Sequence, residues 1–331
     1  RSVVLEAIMQ HTRDPLSRET RDQVMAICQQ VLSNPQVDDE TRMIIAEGLY
    51  GLGDFAGATL HLEQLAQRSG HRKTAITYLE QIARRLDGTT DQIPALLTAY
   101  RHIAEAAYQD GDVETAETTA RKAIALLKDE AILQNLTSDQ RRMVERQRDP
   151  LLRRYQYLLE ARDSDTGLGE AEWIELADIY RMRGLWDRAG SLYNRLAERA
   201  RNRRDRNQKV AFADQVFQCY YRAGKTWWIL AAEQILTLLT DGRNAPTAAD
   251  IARFSDDELR LLEYVAVIYH ALSLDASLGI RQQAMHRYTA QTIYQRLPFR
   301  YVEPRTYLRE LREDLNATTR RITDPLQHVE H

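Results

Sequence analysis

Three stretches of the chain share a pattern in which a glycine stands between two runs with helical spacing. They read LYGLGDFAGATLHLEQLA, AYQDGDVETAETTARKAIA and IYRMRGLWDRAGSLYNRLA, with glycines at positions 53, 111 and 184. An alanine stands seven residues before and five residues after each glycine: Ala46 and Ala58, Ala104 and Ala116, Ala177 and Ala189. Small residues at matched positions let two antiparallel helices approach closely, and glycine permits the left-handed conformation that ends a helix. The pattern therefore predicts repeated helix hairpins.

The remainder of the chain carries the same helical periodicity. Apolar residues recur at intervals of three and four, and no segment alternates between apolar and polar residues over the length of a strand. The eight prolines, Pro94 and Pro150 among them, are expected at the starts and ends of helices. We expect an all-α protein with about thirteen helices up to residue 273, followed by about two or three more up to residue 320.

The glycine corner with its flanking alanines resembles the tetratricopeptide repeat, a family of helix–turn–helix units of about 34 residues. The resemblance covers residues 39–70, 97–130 and 170–203, and a fourth, degenerate unit surrounds Gly224. It implies antiparallel helix hairpins stacked in a right-handed superhelix. The successive corners are 58, 73 and 40 residues apart, so extra helices lie between the units. We therefore expect an irregular α-solenoid.

Pattern and composition divide the chain into five expected segments: an N-terminal helical cap (1–36), tetratricopeptide-like repeats (37–240), a linker (241–255), C-terminal helices (256–320) and a flexible tail (321–331). Within the fourth segment, a helix that begins at Pro304 is expected to have one apolar side, formed by Tyr307, Leu308, Leu311 and Leu315.

Composition points to a soluble globular protein, with 44% hydrophobic and 28% charged residues. The net charge of -3 argues against a general binder of polyanions. No apolar run reaches the roughly 18 residues of a membrane span. Cys28 and Cys219 lie within apolar helical patterns, which favours buried free thiols. Because the chain begins at Arg1, we expect a processed product or a piece of a longer protein, and the compartment, cytoplasmic or periplasmic, stays open.

Catalytic and cofactor motifs are incomplete or missing in the sequence. The AGKT stretch (223–226) lacks the earlier glycine of a phosphate-binding loop, because Cys219 occupies that position. No HExxH pair and no Gly-x-Ser-x-Gly elbow occur. The acidic pairs Asp110/Asp112 and Asp256/Asp257 stand at expected helix starts, where capping explains them. We expect no enzyme, cofactor, metal site or small-molecule substrate.

The resemblance implies that the first helix of each unit lines a groove that receives a peptide or a partner helix. Carried onto this chain, it selects Met43, Glu47 and Tyr50; Arg101, Glu105 and Tyr108; Ile174, Asp178 and Arg181; and Asp214, Gln218 and Tyr221. An ordinary solvated face remains the alternative for these positions. Mixed charge with interspersed tyrosines differs from a basic clamp for a C-terminal carboxylate.

Two further features bear on partners. Trp227 and Trp228 are adjacent and cannot face the same core in a helix. One is expected to pack into the fourth unit, and the other to sit between neighbouring helices or to lie exposed as an interface anchor. The basic stretches 141–154 and 195–209 suit a solvated helix face, an acidic protein partner, or RNA and lipid headgroups, and the solvated face is favoured. No aromatic residues interleave with these arginines in the sequence, as a base-stacking platform requires.

These observations favour a non-catalytic scaffold or adaptor that binds other proteins or peptides, as a subunit of a larger assembly. The alternative is a regulatory module that captures a short peptide. A helical-repeat RNA-binding protein is a third, weaker hypothesis.

Overall fold

A computed structural model describes residues 37–297, apart from positions 69, 90, 91, 166, 241 and 244, together with Gln23, Ala26 and Cys28. The described residues are organised as α-helices without a strand, which confirms the all-α prediction. None of these helices is both long and apolar enough to cross a membrane. Apart from those three positions, the expected cap (1–36) lies outside the described residues. So do residues 298–320 of the C-terminal segment and the tail (321–331).

The chain divides into two compact units, Arg1–Leu158 (unit 1) and Leu159–His331 (unit 2), and the division falls within one helix. The described helices of unit 1 are α1 (Asp39–Gly51), α2 (Phe55–Ala66), α3 (Arg72–Leu86), α4 (Ile93–Gln109), α5 (Val113–Lys128), α6 (Glu130–Gln134) and the first part of α7 (Ser138–Asp165). Those of unit 2 are the end of α7, α8 (Glu170–Met182), α9 (Trp186–Asn202), α10 (Arg206–Ala223), α11 (Lys225–Thr240), α12 (Ala248–Ile251), α13 (Asp256–Ser273) and α14 (Ile280–Tyr294).

Helices that follow one another in the chain pack against one another. In unit 1, α1 packs on α2 and α4 on α5; in unit 2, α8, α9, α10 and α11 form successive neighbouring pairs and α13 packs on α14. This arrangement is expected where short connections join amphipathic helices, because each apolar stripe finds its nearest partner in the next helix.

The three predicted glycine corners have one geometry. Gly53, Gly111 and Gly184 have φ angles of 75°, 82° and 71°. At each corner the glycine N–H donates to the carbonyl three residues earlier, and the next N–H donates to the carbonyl five residues earlier. This is the Schellman arrangement, which satisfies the last carbonyls of the first helix. At the first two corners an aspartate, Asp54 or Asp112, then caps the second helix through its carboxylate.

The six alanines that flank these corners are fully buried: Ala46, Ala58, Ala104, Ala116, Ala177 and Ala189. Each lies on one of the paired helices α1/α2, α4/α5 or α8/α9, as the spacing predicts. The expectation that small side chains sit inside the hairpins is therefore confirmed.

Unit 2 contains a corner that the sequence analysis missed. Arg204 has a φ of 61° between α9 and α10, and its N–H donates to the carbonyl of Arg201 while that of Asp205 donates to Ala200. An arginine thus adopts the conformation that glycine occupies elsewhere, which costs a residue with a Cβ on the order of 1 kcal/mol. With this corner included, the turns at positions 184, 204 and 224 are 20 residues apart.

The expectation that every proline marks a helix boundary is wrong at Pro150, which lies inside the 28-residue helix α7. Proline removes one helical hydrogen bond, but packing overrides this local cost. Leu151, Tyr155 and Leu158 continue one buried stripe directly after the proline. Pro94, in contrast, stands in the first turn of α4 as predicted. The expected linker (241–255) contains the short helix α12, which Thr247 and Asp250 cap reciprocally.

Candidate functional site

A cleft of about 650 Å³ lies in unit 1. The end of α2, the start of α3, the C-terminal half of α4 and the middle of α7 form its walls. Its charged and aromatic lining consists of Arg72, Arg101, His102, Glu105, Arg153, Arg154 and Tyr157. Two of the predicted groove residues, Arg101 and Glu105, are in this set. They stand four residues apart on α4 and so project from the same face of that helix.

One wall of the cleft is an ion-paired group on α2 and α4. Arg101 forms a salt bridge with Glu63, and its guanidinium lies 2.6 Å from Nε2 of His102. The contact with His102 and the charge of Arg101 lower the pKa of Glu63 despite its partial burial. Glu63 is therefore a fixed negative charge at neutral pH, and it holds Arg101 in place on the wall.

A second part of the lining joins α4 to α7. Arg154 forms a salt bridge with Glu105, and its guanidinium carbon lies 4.5 Å from the ring centroid of Tyr108. The Tyr108 ring meets Tyr157 edge-on, with centroids 5.6 Å apart. Tyr157 remains 50% exposed and presents its ring to the cleft. An exposed aromatic ring beside guanidinium groups is typical of protein-contact surfaces.

Two arginines of the cleft lining, Arg72 and Arg153, have long or exposed polar contacts. Arg72 donates to the carbonyl of Ala106 at 3.3 Å and lies 3.9 Å from Asp110. Arg153 pairs with Asp149 at 2.7 Å, but both side chains are more than half exposed. Such exposed pairs contribute little to stability, so an incoming carboxylate is able to replace the present partner at small cost.

The other predicted groove residues of unit 1 lie on α1 and are occupied by neighbours. Met43 is buried. Glu47 accepts a hydrogen bond from Tyr78. Burial of Tyr78 raises the pKa of its hydroxyl, and the charge of Glu47 and this hydrogen bond raise it further. Tyr50 contacts Phe55 and Tyr78 edge-on, and Arg85 lies over its ring. These α1 residues do not line the cleft.

In unit 2 the predicted groove residues on α8 belong to a hydrogen-bonded group that we call the Tyr193 cluster: Asp178, Arg181 and Tyr193. The Tyr193 hydroxyl donates to Asp178 at 3.1 Å and accepts from Arg181 at 3.2 Å. Asp178 and Arg181 are 3.6 Å apart. Ile174, one turn earlier on α8, is half-buried.

The predicted residues on α10 are also engaged within unit 2. Asp214 accepts from Gln218 at 2.7 Å and lies 3.7 Å from Arg260 of α13. Burial raises the pKa of Asp214 above its usual value, against the opposing effect of Arg260. Tyr221 stacks on Trp228 with ring centroids 5.0 Å apart. Each of these side chains therefore has a partner within unit 2.

Trp227 and Trp228 pack against tyrosines at the corner between α10 and α11. Trp227 stacks on Tyr220 with an interplanar angle of 2°, and Trp228 does the same on Tyr221 while its Nε1 donates to the Tyr221 carbonyl. Both tryptophans keep part of their surface exposed. Stacking fixes their positions, and their role as interface anchors stays a prediction.

Most arginine and lysine side chains of the basic stretches form ion pairs or ring contacts within their own unit. In 195–209, Arg195 and Arg199 both lie over the ring of Trp173, Arg203 pairs with Glu170, and Arg206 and Lys209 pair with Glu258. In 141–154, Arg148, Arg153 and Arg154 pair with Glu145, Asp149 and Glu105. Trp173 of α8 is an aromatic partner that sequence proximity did not reveal, but it is buried and so offers no platform for a base.

Both cysteines of the chain are among the described residues. Cys28 and Cys219 are free and buried, as predicted. Burial raises the pKa of the Cys219 thiol to about 12, so it stays protonated at neutral pH. Among the described residues, no group of three or more His, Cys, Asp or Glu side chains is arranged to hold a metal ion.

Sequence reasoning found Arg101 and Glu105 but missed the α7 side of the cleft. Arg153 and Arg154 end the basic stretch 141–154, and Tyr157 stands about one turn later on α7. An aromatic residue three positions after two arginines was an available signal. What the sequence did not supply was the contact between α7 and α4, whose residues 105 and 154 are far apart in the chain.

Comparisons with models of known protein families and with curated protein sequences find no match for this chain.

Proposed function

We propose that the protein is a non-catalytic interaction scaffold whose unit 1 cleft binds a segment of a partner protein. The observation that carries the proposal is the lining of the cleft: a half-exposed tyrosine, Tyr157, beside Arg101, Glu105 and Arg154. Aromatic and arginine side chains supply much of the binding energy at protein interfaces. The volume of about 650 Å³ suits a few side chains of an inserted segment.

The proposal includes a tetratricopeptide-like architecture. It is supported by the three Schellman corners and by the buried alanines that flank them. The even spacing of the turns in unit 2 differs from the spacing in unit 1, which supports an irregular solenoid over a regular one. An experimental structure of the full chain tests this point, because a solenoid requires a consistent rotation from one hairpin to the next.

Ion pairing argues against the RNA-binding alternative. A polyanion gains affinity by displacing counterions from free cations, and here the arginines of the two basic stretches are largely paired with carboxylates or stacked on Trp173. A protein partner, which meets an aromatic and mixed-charge surface, fits the cleft better.

Co-purification of the full chain from its own source, with mass spectrometry of the bound proteins, tests the proposed site. We expect a stoichiometric partner that Tyr157→Asp loses by at least tenfold, because the substitution replaces the exposed aromatic ring of the lining with a small hydrated carboxylate. Met143→Asp is the matched control, since Met143 is also exposed on α7 but lies outside the cleft lining. Equal retention of the partner by both variants would show that the cleft is not its binding site.

The same experiment separates the scaffold from the peptide sensor. Subunits that remain bound at a fixed ratio through gel filtration support a scaffold. A short ligand that dissociates during the run supports the sensor, and recovery of nucleic acid that is lost at high salt supports the RNA hypothesis.

A further inference from the structure

The last described helix, α14, has an exposed side, which we call its outer side, where apolar and cationic residues stand together. Ile280, Met285 and Tyr288 are 85%, 57% and 72% exposed. Arg281 and Arg287 are exposed beside them. At about 100° per residue these five positions fall within an arc of about 160°, so they share one side of the helix.

The other side of α14 faces the interior of unit 2. His286, Ala290 and Ile293 are buried there, and the rings of His286 and Tyr269 of α13 stack with centroids 5.6 Å apart. A surface helix usually places polar residues opposite its buried stripe. Helix α14 instead exposes three large apolar side chains, and exposed Ala284 continues the apolar surface from one turn to the next. Apolar surface of this kind is typical of interaction sites.

The charges on the outer side have one sign. Arg281 and Arg287 form no ion pair with the described residues, and α14 contains no aspartate or glutamate. In contrast, Arg148, Arg153 and Arg154 of α7 all pair with carboxylates. Because guanidinium groups bind carboxylates through charge-assisted hydrogen bonds, two arginines beside apolar surface favour an acidic ligand.

Carboxylates of the neighbouring elements do not neutralise the outer side. In α13 every carboxylate stands at or before Glu263, whereas Tyr269, six residues later, makes the contact with α14. Asp275, between the two helices, is paired with a lysine of α11. The charge of Glu233 on α11 acts on His286, which belongs to the buried side. The positive charge of Arg281 and Arg287 is therefore unopposed within the described part of unit 2.

We propose that the outer side of α14 binds an acidic amphipathic segment of a partner protein, at residues that do not line the unit 1 cleft. Carboxylates of the segment pair with Arg281 and Arg287, and its apolar side chains cover Ile280, Met285 and Tyr288. The cores of protein interfaces are enriched in aromatic residues, methionine and arginine, and are depleted in lysine and carboxylate residues. The outer side has this composition, and its charge complements an acidic partner.

Charge disfavours the other occupants of this surface. A second copy of α14 would bring four arginines together without a carboxylate from either helix. Residues 298–331 of the chain contain six arginines and six aspartate or glutamate residues, so they have no acidic excess. Basic surfaces that bind anionic lipids carry about four to eight clustered lysines or arginines, whereas the outer side has two.

Two labelled synthetic peptides of about 15 residues test the proposal on the full chain. Both carry leucine at helical spacing, and the remaining positions are mainly glutamate in one peptide and lysine in the other. Fluorescence anisotropy measures their affinities. We expect the glutamate peptide to bind at least tenfold more tightly than the lysine peptide, and to bind more weakly as salt is added.

Substitutions on α14 test whether the peptide lies on the outer side. Arg281→Gln with Arg287→Gln should weaken binding of the glutamate peptide at least tenfold, and so should Tyr288→Ser. Lys122→Gln with Arg146→Gln is the matched control, since it removes the same charge from exposed positions of α5 and α7. All these residues are exposed, so the circular dichroism spectrum and melting temperature of each variant should match those of the unchanged chain.

Tyr157→Asp separates the outer side of α14 from the unit 1 cleft. This variant should bind the glutamate peptide as tightly as the unchanged chain does, because Tyr157 lines only the cleft. Loss of binding in Tyr157→Asp, with retention in the variant that lacks Arg281 and Arg287, would place the peptide in the cleft and overturn the proposal. Equal affinity for the two peptides, or no binding of either, would also overturn it.

Oxidation of methionine by dilute hydrogen peroxide identifies other occupants. Met285 and Met143 are both exposed, so we expect similar rates in the free monomer and protection of Met285 alone by the glutamate peptide. Protection of Met285 in the free monomer would assign the surface to the chain itself. Dimers that Tyr288→Ser dissociates would assign it to a second copy, and binding to phosphatidylserine vesicles without binding of the peptide would assign it to a membrane. Each of these three results would overturn the proposal.

Discussion

In unit 1, Glu105 of α4 borders an open cleft, whereas its counterpart in unit 2, Asp178 of α8, accepts a hydrogen bond from Tyr193. Both carboxylates stand six residues before their glycine corner. The position nine residues after the corner differs, however. It is Leu62 or Ala120 in unit 1 and Tyr193 in unit 2. Only the tyrosine carries a hydroxyl group that reaches back to the first helix.

The side chain nine residues after the corner, on the second helix, thus determines whether polar residues of the first helix have a hydrogen-bond partner within the hairpin. In unit 2 the hydroxyl of Tyr193 joins Asp178 to Arg181, so both predicted groove residues have an internal partner. In unit 1 no such group is present at the matching position, and Glu105 instead meets Arg154 of α7 at the cleft. Repeated hairpins can therefore share a backbone and differ in whether they offer a binding surface.

The largest expected effect tests what the two units share. Ala104→Leu in unit 1 and Ala177→Leu in unit 2 each insert a larger side chain at a fully buried position between paired helices. We expect each to lower the free energy of unfolding by about 3 kcal/mol through overpacking. Urea denaturation of the full chain measures this loss. Glu105→Ala is the control and should change stability by less than about 1 kcal/mol, as its ion pair is partly exposed.

A similar cost for both leucine variants would support one hairpin geometry in both units. If either variant proved as harmless as Glu105→Ala, the close helix contact assigned to that unit would be wrong.

Tyr193→Phe tests the feature that separates the units. It removes the hydroxyl that donates to Asp178 and accepts from Arg181, and we expect a loss of about 2 kcal/mol, the range for hydrogen bonds to charged groups. Tyr157→Phe in unit 1 removes the hydroxyl of a half-exposed residue, whose hydrogen bond to Tyr108 joins two uncharged groups, and should cost less than about 1 kcal/mol. Thermal and urea unfolding of both variants provide the measurement. Equal losses would contradict the distinction between an internal cluster and an open cleft.

A third comparison concerns carboxylates with different burial. Glu258 is 2% exposed and is paired with Arg206 and Lys209, while Glu63 in the cleft wall is about a quarter exposed. Burial alone would raise the pKa of Glu258, but hydrogen bonds from Arg206 and Ser255 and the charge of Lys209 lower it below its usual value. For both residues the lowered pKa stabilises the fold above about pH 4.5, and this contribution is lost as pH falls through the folded pKa.

We expect Glu258→Gln to cost about 1.5 kcal/mol at neutral pH and Glu63→Gln clearly less, because the more buried pair is less screened by solvent. We expect the free energy of unfolding, measured from pH 7 to pH 3, to show that the loss caused by each substitution becomes smaller as the pH falls. A Glu258→Gln penalty that grew on acidification would have the wrong sign for a lowered pKa.

The smallest expected effect is a stabilisation at the corner that lacks glycine. Arg204→Gly removes the strain of a left-handed backbone conformation at an exposed residue. We expect the free energy of unfolding to rise by about 0.5–1 kcal/mol, a figure that already includes the greater freedom of glycine in the unfolded chain. Arg203→Gly is the matched control, because Arg203 has a φ of -81° and gains nothing from glycine. A melting temperature that falls for both variants would show that Arg204 is not strained.

The positions of the helices and three of the corners were predictable from the sequence because they depend on local information. Apolar spacing predicts helices on both sides of each corner, and the Gly53 and Gly111 corners follow from the conformational freedom of glycine. The Arg204 corner was not predictable in this way. The packing of α9 on α10 imposes the left-handed conformation of Arg204, and arginine is not a residue type that indicates such a turn in the sequence.

The cleft depended on contacts between distant parts of the chain. Arg101 and Glu105 were selected by their place in a repeated unit, but the partner groups Arg154 and Tyr157 come from α7, which continues through Pro150 because its buried stripe outweighs the lost hydrogen bond. Likewise, nothing near Arg195 in the sequence indicates that it stacks on Trp173 of another helix.

By itself, the sequence determined that this chain forms helices, where three of the hairpin corners lie, and which alanines are inside the hairpins, because helical periodicity and glycine conformation act over a few residues. Only the tertiary structure decided which polar residues are hydrogen-bonded or ion-paired to internal partners and which border a cleft. That choice depends on side chains brought together from separate helices, such as Tyr193 with Asp178 and Arg154 with Glu105, and the energy of each contact exists only once the helices are packed.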